Sequence, residues 1–449
     1  MNRSGNKQER LLLVVSAGIE AVRGLERLKR SGWALAVLDG DPQAPGFALA
    51  DEALHVSTYD CGAAARAAIG LHQRRPISGV MSIAADVPHT VAHIARTLGL
   101  PGIETETATL AMDKLAMKER FAREGVRIPW FAAVSGPEDI EVHMRDRALV
   151  IKPVDSRGAR GVLRLSAGTD LDWAFGCAQR ESPSGRVMVE EFIAGAQLST
   201  ESMLVDGKAY TSGLSDRNYE LLEQTAPFVI ENGGDQPSDQ GPDLLARVDP
   251  VIEAAAAAIG LTDGVLKGDL VLDEQGQVVV IEVAPRLSGG YFCTDQIPLS
   301  TGVDLVELQA RVAVGAALDI DALTPRRWSP TCIRYFFPEG GTLRSVEGFD
   351  RMRAEPWVEH AGLFLEAGDV IPALSDHTRR AGFVLVSGAT REQAQARAIR
   401  AVDAVTFTVD PPFAASVETG TDPAMAATPG APQLPEPSQN APTVESGPV

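Results

Sequence analysis

The sequence predicts a mixed chain, α/β at its start and α+β toward its end. Three observations predict it. The first hundred residues alternate unbroken apolar runs with amphipathic segments. A middle stretch carries long apolar runs interrupted only by single Lys, Asp and Glu residues. A last stretch mixes strand-like runs with one Ala-, Arg- and Gln-rich helical segment, and then loses its large apolar side chains.

Within residues 1–105, "LLLVVSA" from Leu11 reads as a buried parallel strand, because both faces must be apolar when helices cover both. "IEAVRGLERLKRSG" follows as a helix ending at Gly32. "ALAVLDGD" is the next strand, with Asp39 and Asp41 at its C-terminal end. "GVMSIAAD" reads as a later strand and "VPHTVAHIARTLGL" as the helix after it. Such a doubly wound unit takes its ligands beyond the carboxyl ends of the strands. A nicotinamide dinucleotide would need G-x-G-x-x-G at the first turn. The turn here is "SAGIEAVRG", which disfavours that cofactor.

Residues 106–320 form a second unit, with a subdomain at about 132–195. "DKLAMKERFAREGVRIP" reads as a helix that stops before Pro129. "RALVIKPVD" and "RVMVEEFIAG" read as strands, and "QLSTESMLVDGKAYTSGLSD" as two antiparallel strands turning at Asp206-Gly207. "GVLKGDLVLDEQGQVVVIEVAPR" reads as a long hairpin turning at "DEQG". Residues 321–412 form a third, α+β unit with strands "CIRYFF" and "GFVLVSG" and the helix "TREQAQARAIRAVDAV". From Phe413 to Val449 the chain is rich in Pro, Ala and Ser and has no Lys or Arg. It cannot bury enough apolar surface to offset chain entropy, so a disordered tail is expected.

Bulk properties narrow the function. A chain of 449 residues, 45% hydrophobic, supports several cores. A formal charge of −19 argues against nucleic acid and against an anionic membrane surface. Four scattered cysteines without a C-x-x-C pair argue against zinc and disulfides, and for a reducing compartment. The apolar run at Leu11 is too short to span a bilayer and poorly flanked for a signal peptide. A soluble cytoplasmic protein is expected.

The chemistry-bearing stretches lie in the middle unit. "IKPVDSRGARGV", Ile151 to Val162, sets Lys152 before a loop with two glycines. Glycines let backbone N–H groups approach a phosphate, and a lysine adds charge. The order is not that of G-x-x-x-x-G-K-[ST], so a common P-loop is excluded. In the hairpin, an even-length turn would set 267 opposite 282, or 269 opposite 280. Lys267, Asp269 and Glu282 would then share one face. Two half-buried carboxylates on one face call for a cation, and Mg2+ accepts one or two carboxylates with the rest of its shell from phosphate and water. Arg286 follows four residues later in a loop with Gly289 and Gly290, where its planar fork suits a phosphoryl oxygen. Lys114 sits in a helix's first turn, the wrong end for a cation to help the dipole. The seven histidines are dispersed; His89 and His93 share a helix face without a third ligand nearby.

In chain order, Lys114, Lys152 with its glycine loop, "VEEFIAG", Asp269, Glu282 and Arg286 resemble the ATP-grasp superfamily, in particular its carboxylate–amine ligases. The resemblance spans roughly residues 10–410. It implies a pre-ATP-grasp domain, an ATP-grasp fold with a lid, and ATP with Mg2+, or Mn2+ in its place, as cofactors. It implies Lys114 and Lys152 on ATP phosphates, and the loop Ser156–Gly161, with Gly158, over the triphosphate. It implies Glu190, Glu191, Phe192 and Ile193 as the adenine hinge and Gln197 on the ribose. Asp269 and Glu282 would hold the metal, and Arg286, with Lys152, would act on the transferred phosphoryl. Many relatives carry E-x-N-P-R, whereas this chain has "EVAPR", so Ala284 offers no metal oxygen. Asp269 is shorter than the usual glutamate, and Gln197 stands where a glutamate is usual.

The implied reaction activates a small carboxylate as an acyl phosphate and joins it to an amine, releasing ADP and phosphate. The partners would be small molecules, with a homodimer as the default assembly. A biotin-carboxylase-like enzyme and a non-catalytic nucleotide sensor remain alternatives. The stretches "LDGDPQAPG", "SIAADVPH" and "LSGGY" would line the acceptor site, with Asp41, Asp86 and His89 as candidates.

Overall fold

The structure is a computed structural model describing residues 10–411, Pro242 excepted. The tail expected to be disordered, 413–449, lies outside the described residues. Strands β1 (Leu11–Val15), β2 (Ala34–Asp39), β3 (Glu52–His55) and β4 (Ile77–Ser82) form a parallel sheet in the order β3-β2-β1-β4. Every residue of β1 is buried. Leu12 and Val14 pack toward the helix Ile19–Arg30, through Leu25 and Leu28. Leu11, Leu13 and Val15 pack the other way, onto Ala64, Ala68 and Ile94 of the helices Cys61–Arg74 and Pro88–Leu98. The unbroken apolar run is thus the signature of two covered faces.

Four antiparallel strands follow: β5 (Phe131–Val134), β6 (Leu149–Pro153), β7 (Leu163–Arg164) and β8 (Val187–Glu191), in the order β5-β8-β6-β7. The helices Pro137–Met144 and Leu171–Arg180 cover one face through Ile140, Ala174 and Ala178. The helix holding Lys114 runs from Lys114 to Arg123 and ends well before Pro129.

The main sheet holds β9 (Gly195–Val205), β10 (Lys208–Asn218), β11 (Gly233–Gln236), β12 (Gly264–Asp273) and β13 (Val278–Ala284). The last segment adds β14 (Thr331–Phe336), β15 (Gly341–Glu347), β16 (Val358–Leu363), β17 (Val370–Ile371), β18 (Gly382–Ser387) and β19 (Thr406–Asp410). Eight strands join in the order β13-β12-β9-β10-β11-β14-β18-β16. The sheet is therefore continuous across residue 320, through pairing of β11 with β14. Strands β17-β15-β19 form a small separate sheet. The helices Leu244–Ala258 and Lys114–Arg123 bury Val248, Ile252 and Phe121 against Leu266, Leu270 and Val280.

The expected β12–β13 register is corrected. Asp269 stands directly opposite Glu282, and Lys267 opposite Ala284. Two features cause the shift. The connection is a tight Asp273–Gln277 turn with Gly276 at φ +73°, not an even-length loop. A bulge after Asp269 then leaves Ile281 as an extra residue on β13. The two carboxylates still share one face, now as direct neighbours.

Phe121 is fully buried where the Lys114 helix meets the main sheet. Phe121→Ala is expected to cost about 3–5 kcal/mol. Urea denaturation should show a lower midpoint with an unchanged slope.

Candidate active site

A cavity of about 830 Å³ lies where the main sheet, the β5–β8 sheet and the loops after β1 and β4 meet. Lys114, Lys152, Ser156, Gly158, Glu190, Glu191, Phe192, Ile193, Gln197, Asp269, Glu282 and Arg286 all line it. Gly161 does not. At φ +68° it lets the loop close against its own base, where a Cβ would meet Glu181 and Pro153 at 3.0 Å. Its part is packing, not contact with the cavity. Asp41 and His89 also fall outside the lining, whereas Asp86 is inside it.

At one end, strand pairing sets Glu190 opposite Val150, so Glu190 shares a face with Lys152, two residues on. The Lys152 ammonium donates to the Glu190 carboxylate, and Lys118 Nζ lies 2.9 Å from its other oxygen. All three are buried. Burial pushes the Glu190 carboxyl upward, but the Lys118 and Lys152 charges outweigh it and hold it below the usual carboxylate range. Burial lowers the Lys118 ammonium, with Glu190 opposing. The Glu190 carboxylate thus serves as counter-ion to two lysines. The neighbouring Glu191 and Phe192 N–H groups donate to Trp130 and Ala148 carbonyls, each at 2.8 Å. Arg164 lies 4.7 Å over the Phe192 ring.

The glycine loop is held from several sides. Lys114 Nζ donates to Ser156 O at 2.6 Å. Arg157 donates to Asp86 O at 2.9 Å and lies over Tyr59. His377 N–H donates to Gly158 O at 3.0 Å. Positive φ at Gly158 and Ala159 makes the tight turn between these contacts.

At the centre, Asp269 faces Lys267 Nζ at 2.5 Å and Arg217 Nη1 at 3.0 Å. The arginine contact falls outside hydrogen-bonding angles, so the buried Asp269 Oδ1 makes no hydrogen bond. Glu282 lies 3.6 Å from Lys114. Burial would raise the Glu282 carboxyl, yet Lys114, Lys267 and Lys152 hold it far below the carboxylate range. Two opposed anionic carboxylates, one with an unsatisfied buried oxygen, fit a hard divalent cation. Among the described residues no group of three or more His, Cys, Asp and Glu could enclose an ion, so a cation held by this pair would take the rest of its shell from phosphate and water. Arg286 donates through Nε to Asp86 Oδ1 at 2.6 Å. Burial disfavours the guanidinium charge, but Asp86 more than restores it.

Several residues of this site carry no sequence signal. Lys118 is hidden in an ordinary helix. Arg217 lies 2.5 Å from Glu231, across an irregular connection whose length says nothing of contact. Glu201, fully buried on β9, accepts hydrogen bonds from Ser288 N–H at 3.0 Å and from the Ser288 hydroxyl. It fixes the loop that follows Arg286. Among the described residues no helix is long and apolar enough to cross a membrane.

Comparison with known proteins decides the family. Residues 111–290 match the model of the ATP-grasp domain, and residues 334–410 that of the L-amino acid ligase C-terminal domain 2. The chain belongs to the ATP-grasp ligases. It is similar to the uncharacterized protein y4rH of Sinorhizobium fredii, 25% identical over 89% of this chain and 83% of that one. It is similar to the L-arginine-specific L-amino acid ligase of Bacillus subtilis, 24% identical over 43% of this chain and 47% of the relative. Its fold matches the crystal structure of L-amino acid ligase from Bacillus licheniformis at a TM-score of 0.76, with 20% identity over 90% of this chain and all of that one.

The ATP-grasp ligase keeps one buried acid near neutrality. Burial raises the Glu201 carboxyl to about 7, with the Ser288 hydrogen bonds opposing. Its folded value exceeds its unfolded value, so the folded state holds the proton more tightly. Stability should therefore fall as pH rises from about 4.5 to about 7, by about 3 kcal/mol from this group. Glu201→Gln should flatten that part of the profile in denaturation measured across the window.

Proposed function

We propose that this enzyme is a carboxylate–amine ligase that activates a small carboxylate as an acyl phosphate and joins it to an amine. The observation that carries the reading is the opposed Asp269–Glu282 pair, set between Lys114 and Lys267 and lining one cavity with Lys152 and Arg286. In this reading residues 106–320 hold ATP, with 132–195 as lid, and residues 1–105 and 321–412 help wall the acceptor. Lys114 and Lys152 meet the phosphates, Ser156–Gly158 cover them, and Gly161 keeps the loop folded. Glu191, Phe192 and Ile193 flank adenine, and Gln197 the ribose. Asp269 and Glu282 hold Mg2+, or Mn2+, which when bound neutralises phosphate charge.

A substrate carboxylate oxygen attacks the γ-phosphorus, and the bond to the β-phosphate oxygen breaks, releasing ADP. The amine nitrogen then attacks the acyl carbon. The carbon–oxygen bond to phosphate breaks, phosphate leaves, and the nitrogen loses a proton. Phosphoryl transfer needs positioning and charge neutralisation more than covalent help. Arg286, held by Asp86, is poised to meet the transferred phosphoryl. Likeness to the L-amino acid ligase C-terminal domain 2 over residues 334–410, and to the L-arginine-specific L-amino acid ligase, favours amino acids as carboxylate and amine. It also favours this reading over bicarbonate phosphorylation. We further propose action in the cytoplasm, as a homodimer.

With Mg·ATP, hydroxylamine and pooled amino acids, the protein should release phosphate and form acyl hydroxamate with at least one pool. ATP binding without hydroxamate from any carboxylate would favour a sensor. Glu282→Gln and Lys152→Met should each lower hydroxamate formation by roughly 100-fold or more, the scale for losing a preorganised charge at a phosphoryl site.

A further inference from the structure

Five arginines line the cavity; Arg157 and Arg160 belong to the glycine loop, and Arg217, Arg286 and Arg380 lie outside it. Of these last three, two are matched. Arg217 lies 2.5 Å from Glu231, and Arg286 2.6 Å from Asp86. Arg380 is not. Its nearest recorded carboxylate oxygen, on Glu231, is 4.0 Å away and already held by Arg217. Its Nη2 makes only a long bond to Glu231 O, at 3.4 Å. Its Nε is buried and has no hydrogen-bond partner. A guanidinium so withdrawn from water is costly unless an anion joins it.

The site around it is built. Arg380 lies 3.6 Å over the Tyr335 ring, and the Tyr335 hydroxyl donates to Gly290 O at 3.2 Å. Gly290 has φ +63°, and a Cβ there would fall 2.6 Å from that hydroxyl. The absence of a side chain leaves the arginine open to the cavity. The segment before Arg380 is also fixed. Asp376, buried, accepts from Thr378 N–H at 2.9 Å. His377 Nε2 accepts from Glu231 N–H at 3.1 Å, which requires a neutral ring. Burial, helped by the Arg380 charge, holds that ring neutral, down at about 3.

The reacting carboxylate must meet the γ-phosphate beside Asp269, Glu282 and Arg286. Arg380 stands apart from that point, with Glu231 and Arg217 between it and Asp269. It suits a second carboxylate that does not react. We propose that Arg380, on its Tyr335 platform, anchors the carboxylate of the acceptor, so that the enzyme selects amines bearing a carboxylate over neutral amines. This rests on the ligase reading above.

The test uses the full chain and one acid donor that yields hydroxamate. Acceptors are free L-amino acids and the matching L-amino-acid amides, which differ only in the charged group. Wild type should show an acceptor KM at least tenfold lower for the acids. Arg380→Met should raise the KM for acids at least tenfold, shift that for amides less than threefold, and lower the ratio of amide to hydroxamate formation. Arg380→Lys should recover part of the preference. Hydroxamate from wild type with equal use of acids and amides would overturn the Arg380 role while leaving the ligase standing. So would a methionine variant that loses acid and amide acceptors alike. No hydroxamate from wild type would instead count against the ligase reading itself.

Discussion

The matching of buried charges across the cavity constrains everything around it. Glu190 balances Lys118 and Lys152, Glu282 faces Lys114, and Asp269 sits between Lys267 and Arg217. Arg217 continues to Glu231, and Asp86 holds Arg286. Each charge is largely withdrawn from water, so each would be costly alone. Removing one member exposes its neighbour to that cost. The row is therefore a constraint on how the chain folds and, in the proposed reading, also the surface that meets phosphate and metal.

The row can exist because different parts of the chain contribute to it. The main sheet carries Lys267 and Asp269 on β12, Glu282 on the neighbouring β13, and Arg217 on β10, beyond β9. The β5–β8 sheet brings Lys152 and Glu190, and one helix brings Lys114 and Lys118. Asp86 arrives from the loop after β4, and Arg380 from the approach to β18. The glycine loop touches Asp86 on one side and His377 on the other. Its position over the cavity is thereby linked to the loop after β4 and to the segment before β18.

Much of this was legible in the sequence, for physical reasons that differ by element. The parallel strands announced themselves because two buried faces demand unbroken apolar runs, as in Leu11–Val15. β3 did not, since only Leu54 of "EALH" is buried and an edge strand carries no such run. Lys152, Asp269 and Glu282 stood out because charges at or inside apolar runs are rare, and Arg286 because it follows Glu282 in a glycine loop. The register of Asp269 against Glu282 was not legible, because a bulge at Ile281 changes the pairing without changing the pattern. Nor was the commitment of Glu190 to Lys118, since a buried lysine on an amphipathic helix looks like any solvated one. Arg217, Glu231 and Arg380 meet only through tertiary contact, and no local spacing encodes that.

The existing ion pairs also bear on how ligands enter. Asp269 and Glu282 are already balanced by protein cations, so a metal ion arriving alone would compete with Lys267, Arg217 and Lys114 and leave surplus positive charge. A polyphosphate arriving alone would meet the two carboxylates at close range. Together the two ligands cancel most of each other's charge, and the lysines displaced from the carboxylates find phosphate oxygens in their place. The charge pattern thus favours joint entry of metal and nucleotide over either in isolation. The same logic extends to the acceptor end. Glu231 is shared between Arg217 and Arg380, unevenly, at 2.5 and 4.0 Å. In the proposed reading, an Asp269 committed to a metal would leave Arg217 only Glu231 among these partners. Arg380 would then be still more in need of an anion, so in that reading a filled nucleotide end would strengthen the demand for a charged acceptor at the other.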